Sequence, residues 1–397
     1  MTRLGDVCEK IGSGATPRGG KEAYKDAGIP IIRSQNIHDW VFQPDGLAFL
    51  DDEQAESLSN VEVRSNDVLL NITGDSVARA CIVPSERIPA RVNQHVAIVR
   101  AGKEINPTYL LASLQSKKTT LLSLASSGAT RNALTKRMIE NLDIDLPSRE
   151  MQDSIAQVLD SIQYKITLNN RLNDYLFELV SSVFAHRFSD NVNTTELKNV
   201  LSISTKALKP QEHADEIWEH YSIPAFDEKH RPIFEPASGI KSNKYQIDSE
   251  CILISKLNPS TKRIWMPCCS SNNAVCSTEF IVYRPYLKEY KSFYYAAIDS
   301  PRFTDYLLEH VSGSTGSRQR AQPKDTLNYL MPNPDNEEIK DFCTFADPIY
   351  RHIQINEQQT AKLELLRETL LPKLMSGAID VSKVDLTQLT NNHLSDC

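Results

Sequence analysis

Four short stretches have residue types that could do chemistry. Gly20-Lys21 closes a glycine-containing loop of the kind that cradles phosphate. A nucleotide-binding loop of this type also needs Gly six places before the lysine and Ser or Thr just after it. Ala15 and Glu22 stand there instead, so no ATP site is expected. Gly12-Ser13-Gly14 begins a dinucleotide-binding fingerprint, but Pro17 occupies the third glycine position and breaks it. Asn106-Pro107-Thr108-Tyr109 has the shape of an adenine amino-methylation motif. That chemistry needs a separate glycine-rich loop for the methyl donor, and none follows a suitable strand. The stretch reads better as a helix start, with Asn106 as cap and Pro107 in the first turn. Pro334-Asp335 with Glu338-Ile339-Lys340 carries the residue types of a nuclease centre, compressed into one helical turn. There, Asp335, Glu337 and Glu338 more simply place negative charge at a helix N-terminus. Zinc-protease and nucleophile-elbow motifs do not occur, so the chain is expected not to be an enzyme.

The cysteines are Cys8, Cys81, Cys251, Cys268, Cys269, Cys276, Cys343 and Cys397, with no C-x-x-C pair. They read as reduced, mostly buried thiols, and no metal site is expected. The net charge of −7 argues against a simple DNA-binding protein, which is usually basic. It leaves room for local basic patches and for a partner that supplies part of any grip on DNA. A chain of 397 residues with 40% hydrophobic and 24% charged residues suits two globular domains. Without an export signal or an 18-residue apolar run, a soluble cytoplasmic protein with no membrane partner is expected.

The elements that would position any site come in two sets, offset by about 187 residues. Leu4-Gly5-Asp6-Val7 matches Leu197-Lys198-Asn199-Val200. Gly28–Ile32 is echoed loosely by Tyr221-Ser222-Ile223-Pro224. The strand-like run Asp67–Ile72 matches Glu250–Ser255, and each leads to a proline, Pro84 or Pro267. Val96–Val99 matches Phe280–Tyr283. A helix is expected over Tyr109–Leu124 and another over Phe293–His310. A Gly/Ser loop follows each, Ser126–Arg131 and Ser312–Arg318. The fold class is therefore α+β, with a mixed β-sheet and helices in each half.

Each half ends in a long amphipathic pattern. Ile155, Leu159, Ile162 and Ile166 continue into Leu172, Leu176, Leu179 and Val183. Phe342, Phe345, Ile349 and Ile353 continue into Leu363, Leu366 and Leu370. Steps of three and four sustained this far predict a coiled-coil seam. A helix from Ser148 to Phe184 would be about 55 Å long. Asn169 and Asn356 fall on or beside the seam, either fixing register or facing solvent. Pro372 should kink or end the second helix near itself. The expected segments are 1–146 and 192–334 for the globular domains, 147–188 and 335–376 for the helices, and 377–397 for a loose polar tail.

This arrangement resembles the specificity subunit of type I restriction-modification systems. Three local matches carry the resemblance. One is the pair of loop ends Thr130-Arg131-Asn132 and Ser317-Arg318-Gln319. Another is Pro147-Ser148-Arg149-Glu150-Met151-Gln152, similar to that family's proline-then-Glu-x-Gln lead into the long helix. The third is Leu370-Leu371-Pro372-Lys373-Leu374-Met375-Ser376-Gly377-Ala378-Ile379, close to its C-terminal motif. The second helix start, Asn336-Glu337-Glu338-Ile339, departs by lacking the Gln. The resemblance implies two tandem target-recognition domains, each reading half of a split double-stranded DNA site. It implies antiparallel helices that set the unread gap, related by a pseudo-two-fold axis. Two methyltransferase subunits, and two restriction subunits where present, would be the partners. S-adenosylmethionine, ATP and magnesium would belong to those partners, not to this chain.

Side-chain chemistry then nominates DNA-facing residues, since Arg and Lys suit guanine and phosphate while Asn and Gln suit adenine. In the first domain these are Thr16, Arg18, Arg33, Gln35, Asn36, Asn71, Thr73, Arg79, Asn93, Gln94 and His95. In the second they are Lys241, Lys244, Lys256, Asn258, Thr261, Lys262 and Arg263, a stretch with five basic residues against two acidic ones. Arg131 and Arg318 suit phosphate clamping. Each has an alternative as a solvated loop residue, and His95 as a structural one. A protein-binding scaffold on coiled-coil rods is the other reading of the whole chain.

Overall fold

The structure is a computed structural model that describes residues 1–126, 132–190, 193–213, 215–312 and 319–381. It divides into two compact units, Met1–Thr167 with Ala361–Cys397, and Leu168–Thr360.

The strands of the first unit's two four-stranded sheets are β1 (Cys8–Ser13), β2 (Ile29–Ile32), β3 (Ala48–Leu50), β4 (Glu62–Val63), β5 (Val68–Asn71), β6 (Ala80–Ile82), β7 (Ala90–Val92) and β8 (Val96–Ala101). One sheet has the order β1-β8-β5-β6 and is antiparallel throughout. The other has the order β3-β2-β7-β4, with β2 and β7 parallel. The run Val68-Leu69-Leu70 is apolar on both faces because its sheet is covered on both. Val68 and Leu70 meet the helices, while Leu69 meets the second sheet.

The second unit repeats this order. The strands of its two larger sheets are β9 (Leu201–Ser204), β10 (Ala207–Leu208), β11 (Ile217–Tyr221), β12 (Ile233–Pro236), β13 (Lys244–Gln246), β14 (Ile252–Ser255), β15 (Ile264–Trp265), β16 (Ala274–Ser277) and β17 (Phe280–Pro285). The sheets run β9-β17-β14-β15 and β12-β11-β16-β13-β10, with β11 and β16 parallel. The strand equivalent to β2 is thus β11, several residues before the loose echo at Tyr221–Pro224. Ile223 instead opens a short helix, because Ser222 caps it and Pro224 suits a first turn.

Two helices, not one, follow the strands in each unit. They are Pro107–Ser116 and Lys118–Ser126 in the first unit, and Lys291–Asp299 and Pro301–Glu309 in the second. The second break is chemical: Ser300 is extended, precedes Pro301, and accepts from Phe303 N to cap a new helix. Asn106 caps the first helix through Thr108 N and Tyr109 N, at 2.8 and 3.1 Å. Asp335 likewise accepts from Glu337 N and Glu338 N. Both stretches weighed as catalytic motifs therefore serve as caps.

The long helices are α1 (Arg149–Phe188) and α2 (Asn336–Met375), each 40 residues. Gln152 is buried beneath the start of α1. It accepts from Asn106 N at 2.9 Å and donates to Glu104 O and Pro147 O. At the corresponding place in α2 stands Ile339, buried among apolar residues. α2 runs one turn past Pro372 and ends before Gly377, whose φ of +73° suits a helix stop. Beyond it, Ile379 and Val381 pack on the first unit's core, so the start of the expected loose tail is docked. The remainder of that tail lies outside the described residues.

Within each unit the two long helices run side by side in opposite directions. In the first, Ile155, Leu159, Ile162 and Ile166 share a core with Leu363, Leu370, Leu371 and Leu374. In the second, Phe184 meets Phe342 and Phe177 meets Tyr350. Leu176, Phe345, Ile349 and Ile353 join that core. Leu179 and Leu366, both expected in the seam, are 45% and 44% exposed. The pattern takes a step of four where three was expected, so Val180 and Arg367 are buried instead. Arg367 donates to Gln163 Oε1 and lies over the Trp40 ring, its charge held by an amide and a π face. Among the described residues no helix is long and apolar enough to cross a membrane.

Candidate nucleic-acid interface

The strand β5 ends in a loop of nine residues, Asn71–Arg79, before β6. Its backbone is closed by Asn71 N donating to Arg79 O at 2.8 Å. Ile72 N donates to His95 O, and Gly74 N to Asn132 O. The second unit builds the same loop over Ser255–Arg263. Ser255 N donates to Arg263 O at 2.8 Å, Lys256 N to Glu279 O, and Asn258 N to Gln319 O. Gly74 and Asn258 hold the same left-handed place, with φ of +75° and +48°. Asn tolerates that backbone better than most residues, which accounts for the pairing. Arg79 and Arg263 fall on equivalent positions at the loop's end.

A second turn lies beside this loop, joining the two sheets of each unit. In the first unit it is Asn93-Gln94-His95, between β7 and β8. His95 N donates to Asn93 Oδ1, and Val96 N to Asn93 O, both at 3.1 Å. Thr73 Oγ1 lies 2.7 Å from His95 Nδ1, and Gln94 Nε2 lies 3.1 Å from His95 Nε2. The chain at Gly14 and Ala15 presses on the same turn through Gly14 N to Val96 O and Ala15 N to Val92 O. A Cβ on Gly14 would sit 2.1 Å from Val92 O, so only glycine fits. Thr73, His95 and Gln94 are thus brought together, and Thr16, which is exposed, follows Ala15 in sequence. Arg18 is exposed and Arg79 half-buried; neither has an ion pair among the described residues.

Several nominated residues hold loops instead. Asn36 is fully buried, and its amide donates to Gln43 O and Asp45 O while accepting from Arg33 N. Asn71 is fully buried too, donating to Ser34 O at 2.9 Å and Ser76 Oγ at 3.1 Å. Asn93 is buried and fastens its own turn. Their amides face into the protein, which corrects their nomination as base readers. Arg33 donates to Gly46 O and stacks on Tyr24, and Gln35 is exposed and donates to the same carbonyl.

The basic stretch of the second unit is largely neutralised. Arg263 is held by Asp227 through two hydrogen bonds, the longer 2.9 Å. Lys262 pairs with Asp299 at 2.6 Å. Lys244 is buried, donates to Ser242 Oγ at 2.6 Å, and has its pKa lowered by that burial. Lys241, which is exposed, and Lys256 have no ion pair among the described residues. Thr261 is exposed at the loop tip. Five basic residues in sequence thus present far less open positive charge than their number suggests. Arg131 and Arg318 lie outside the described residues.

One pair escaped the sequence reading. Glu279 stands where the first unit has His95, and Arg320 pairs with it through Nε at 3.1 Å and Nη2 at 3.2 Å. The two residues are far apart in sequence, so only the matched turns of the two halves could have exposed them.

Residues 1–176 match the family described as "Type I restriction modification DNA specificity domain". A curated relative, the putative type I restriction enzyme MjaX specificity subunit of Methanocaldococcus jannaschii, is 23% identical over 178 residues. That match spans 43% of this chain and 41% of the relative's length. The crystal structure of the type I restriction-modification system S subunit from M. genitalium aligns with a TM-score of 0.57 at 14% identity. It covers 94% of this chain and 95% of that one, so the fold is shared over most of the chain. Residues 1–176 therefore match the model of type I restriction-modification DNA specificity domains, and the chain shares the fold of the M. genitalium S subunit.

Proposed function

We propose that this chain is the DNA-specificity subunit of a type I restriction-modification complex. Each unit reads one half of a bipartite site on double-stranded DNA. The carrying observation is the duplicated loop, Asn71–Arg79 and Ser255–Arg263, held by the same backbone hydrogen bonds in both units. A split site whose two halves differ in sequence needs two readers of like geometry and unlike side chains. The loops match in backbone, while His95 is replaced by Glu279 and Thr73 by Leu257.

In this reading, residues 1–146 and 192–334 are tandem target-recognition domains. Residues 147–188 and 335–376 form an antiparallel coiled coil that sets the gap between half-sites. Two methyltransferase subunits would dock on those helices, and two restriction subunits would join in hosts that have them. The chain performs no catalysis itself, and S-adenosylmethionine, ATP and magnesium would be bound by the partners. The caps formed by Asn106 and Asp335 support this, because they give helix-building roles to the residues closest to catalytic motifs. Exchanging residues 1–146 for the equivalent segment of another such chain tests the reading. One half-site should change and the other should persist; a change in both, or in neither, contradicts it.

A further inference from the structure

We propose that Gln94 is the base-reading residue of the first unit, selecting one adenine in its half-site, and that His95 and Thr73 position it. This rests on the DNA-specificity reading above. Gln94 is exposed at the tip of the turn between β7 and β8. Its neighbours are not loose. The turn is fixed by Asn93 Oδ1, by Ile72 N donating to His95 O, and by the contact with Gly14. The His95 ring bridges Thr73 Oγ1 at 2.7 Å and the Gln94 amide at 3.1 Å. Gln94 Nε2 donates one N–H to His95 Nε2, which leaves its second N–H and its Oε1 open. An exposed amide with a donor and an acceptor side by side matches the N6 and N7 edge of adenine in the major groove. Long side chains lose rotamer freedom on binding, and a ring that already holds the amide reduces that loss.

The second unit supplies the contrast. The same three positions there are Leu257, Thr278 and Glu279, with Glu279 engaged by Arg320. No amide stands at the tip, so the second half-site follows a different code on the same backbone.

The test uses the full chain co-expressed with its methyltransferase partner, with N6-methyladenine mapped across host DNA by single-molecule sequencing. In Gln94→Ala one A·T position of a single half-site should lose selectivity by about 5- to 150-fold, with the other half-site unchanged. His95→Ala should relax that same position to a smaller extent. Thr278→Ala should leave that half-site intact. An unchanged motif in Gln94→Ala overturns the inference while leaving the DNA-specificity reading in place. Uniform loss over both half-sites at unchanged melting temperature marks a phosphate contact and also overturns it. Gln94→Glu, which keeps the length and removes the amide donor, gives the same comparison should the alanine variant fold poorly. Absence of any split motif with the unaltered chain counts instead against the DNA-specificity reading itself.

Discussion

Asn356 Nδ2 donates to Asn173 Oδ1 at 2.8 Å, between the two long helices and inside the second unit. Both residues are buried. Asn169 extends the layer by donating to Gln359 Oε1 at 2.9 Å, and Asn173 itself donates to Ile353 O at 3.4 Å. Three asparagines in one seam form a polar step that an out-of-register pairing would leave unsatisfied. Asn356→Ala removes the donor and strands a buried carbonyl, so it should destabilise the chain by about 1–3 kcal/mol. The double change Asn173→Leu with Asn356→Leu should be near neutral or stabilising, because both polar partners leave together. Urea unfolding of the single and double variants checks this; equal losses in both would contradict it.

Glu357, on α2, gives the second unit a pH dependence. Burial pushes its carboxyl up to about 7, and the Arg231 charge only partly opposes this. Tyr295 and Cys268 also feel its charge, and burial holds both neutral. A carboxyl raised in the folded state contributes fully below its unfolded value, near 4.5, and the contribution is lost as pH rises through about 7. Glu357→Gln should remove that loss. Its stability advantage over the parent should be near zero at pH 4 and grow to at most about 3 kcal/mol at pH 8. Melting curves across this range that stay parallel would count against the assignment.

Gln152 is the buried residue of the lead into α1, with three backbone partners. Gln152→Ala leaves Asn106 N and two carbonyls without them, for a loss of about 2–4 kcal/mol. Ile339→Ala, at the same place in α2, should lose about 2–5 kcal/mol through a cavity instead. Gln152→Glu separates the two mechanisms: the isosteric acid should also destabilise, since two of the three contacts need a donor. Chemical denaturation reads all three, and a neutral Gln152→Glu would refute the hydrogen-bond account.

Arg263 is held by Asp227, so under the proposed function the second unit offers less open positive charge to DNA than its sequence suggests. Asp227→Asn removes the charge partner of a guanidinium whose side chain is only 11% exposed, so it should free Arg263 at a cost of about 1–3 kcal/mol. Affinity for non-specific duplex should rise, and the slope of log K against log salt should steepen by about 0.9 for one added phosphate contact. Fluorescence anisotropy between 50 and 200 mM salt, ranges in which such slopes are read, suffices. An unchanged slope would mean that Arg263 does not face the backbone.

Much of the architecture was legible because apolar runs report burial. Val68-Leu69-Leu70 and Ile252-Leu253-Ile254 are apolar on both faces, since each lies in a covered sheet. The start of the helix seam was equally plain, from Ile155 to Ile166. Its phase was lost where Val180 and Phe184 took over from Leu179, because adjacent apolar residues allow two periodic patterns. Arg367 was invisible as a seam residue, since its partners Gln163 and Trp40 come from distant parts of the chain. The candidate site was less legible for the same reason. Asn36 and Asn71 have the chemistry of base readers, but their hydrogen bonds run to backbone several to many residues away. Residue type states what a side chain can do; only the fold states which neighbour it does it to.

Under the proposed function this chain dictates a split DNA motif. The direct measurement is a genome-wide map of N6-methyladenine from cells expressing the methyltransferase partner with and without the chain. The account predicts a single bipartite motif with a fixed gap, present only with the chain, whose gap widens when one turn is inserted into both α1 and α2. Active methylation whose pattern is the same in both cells would contradict it.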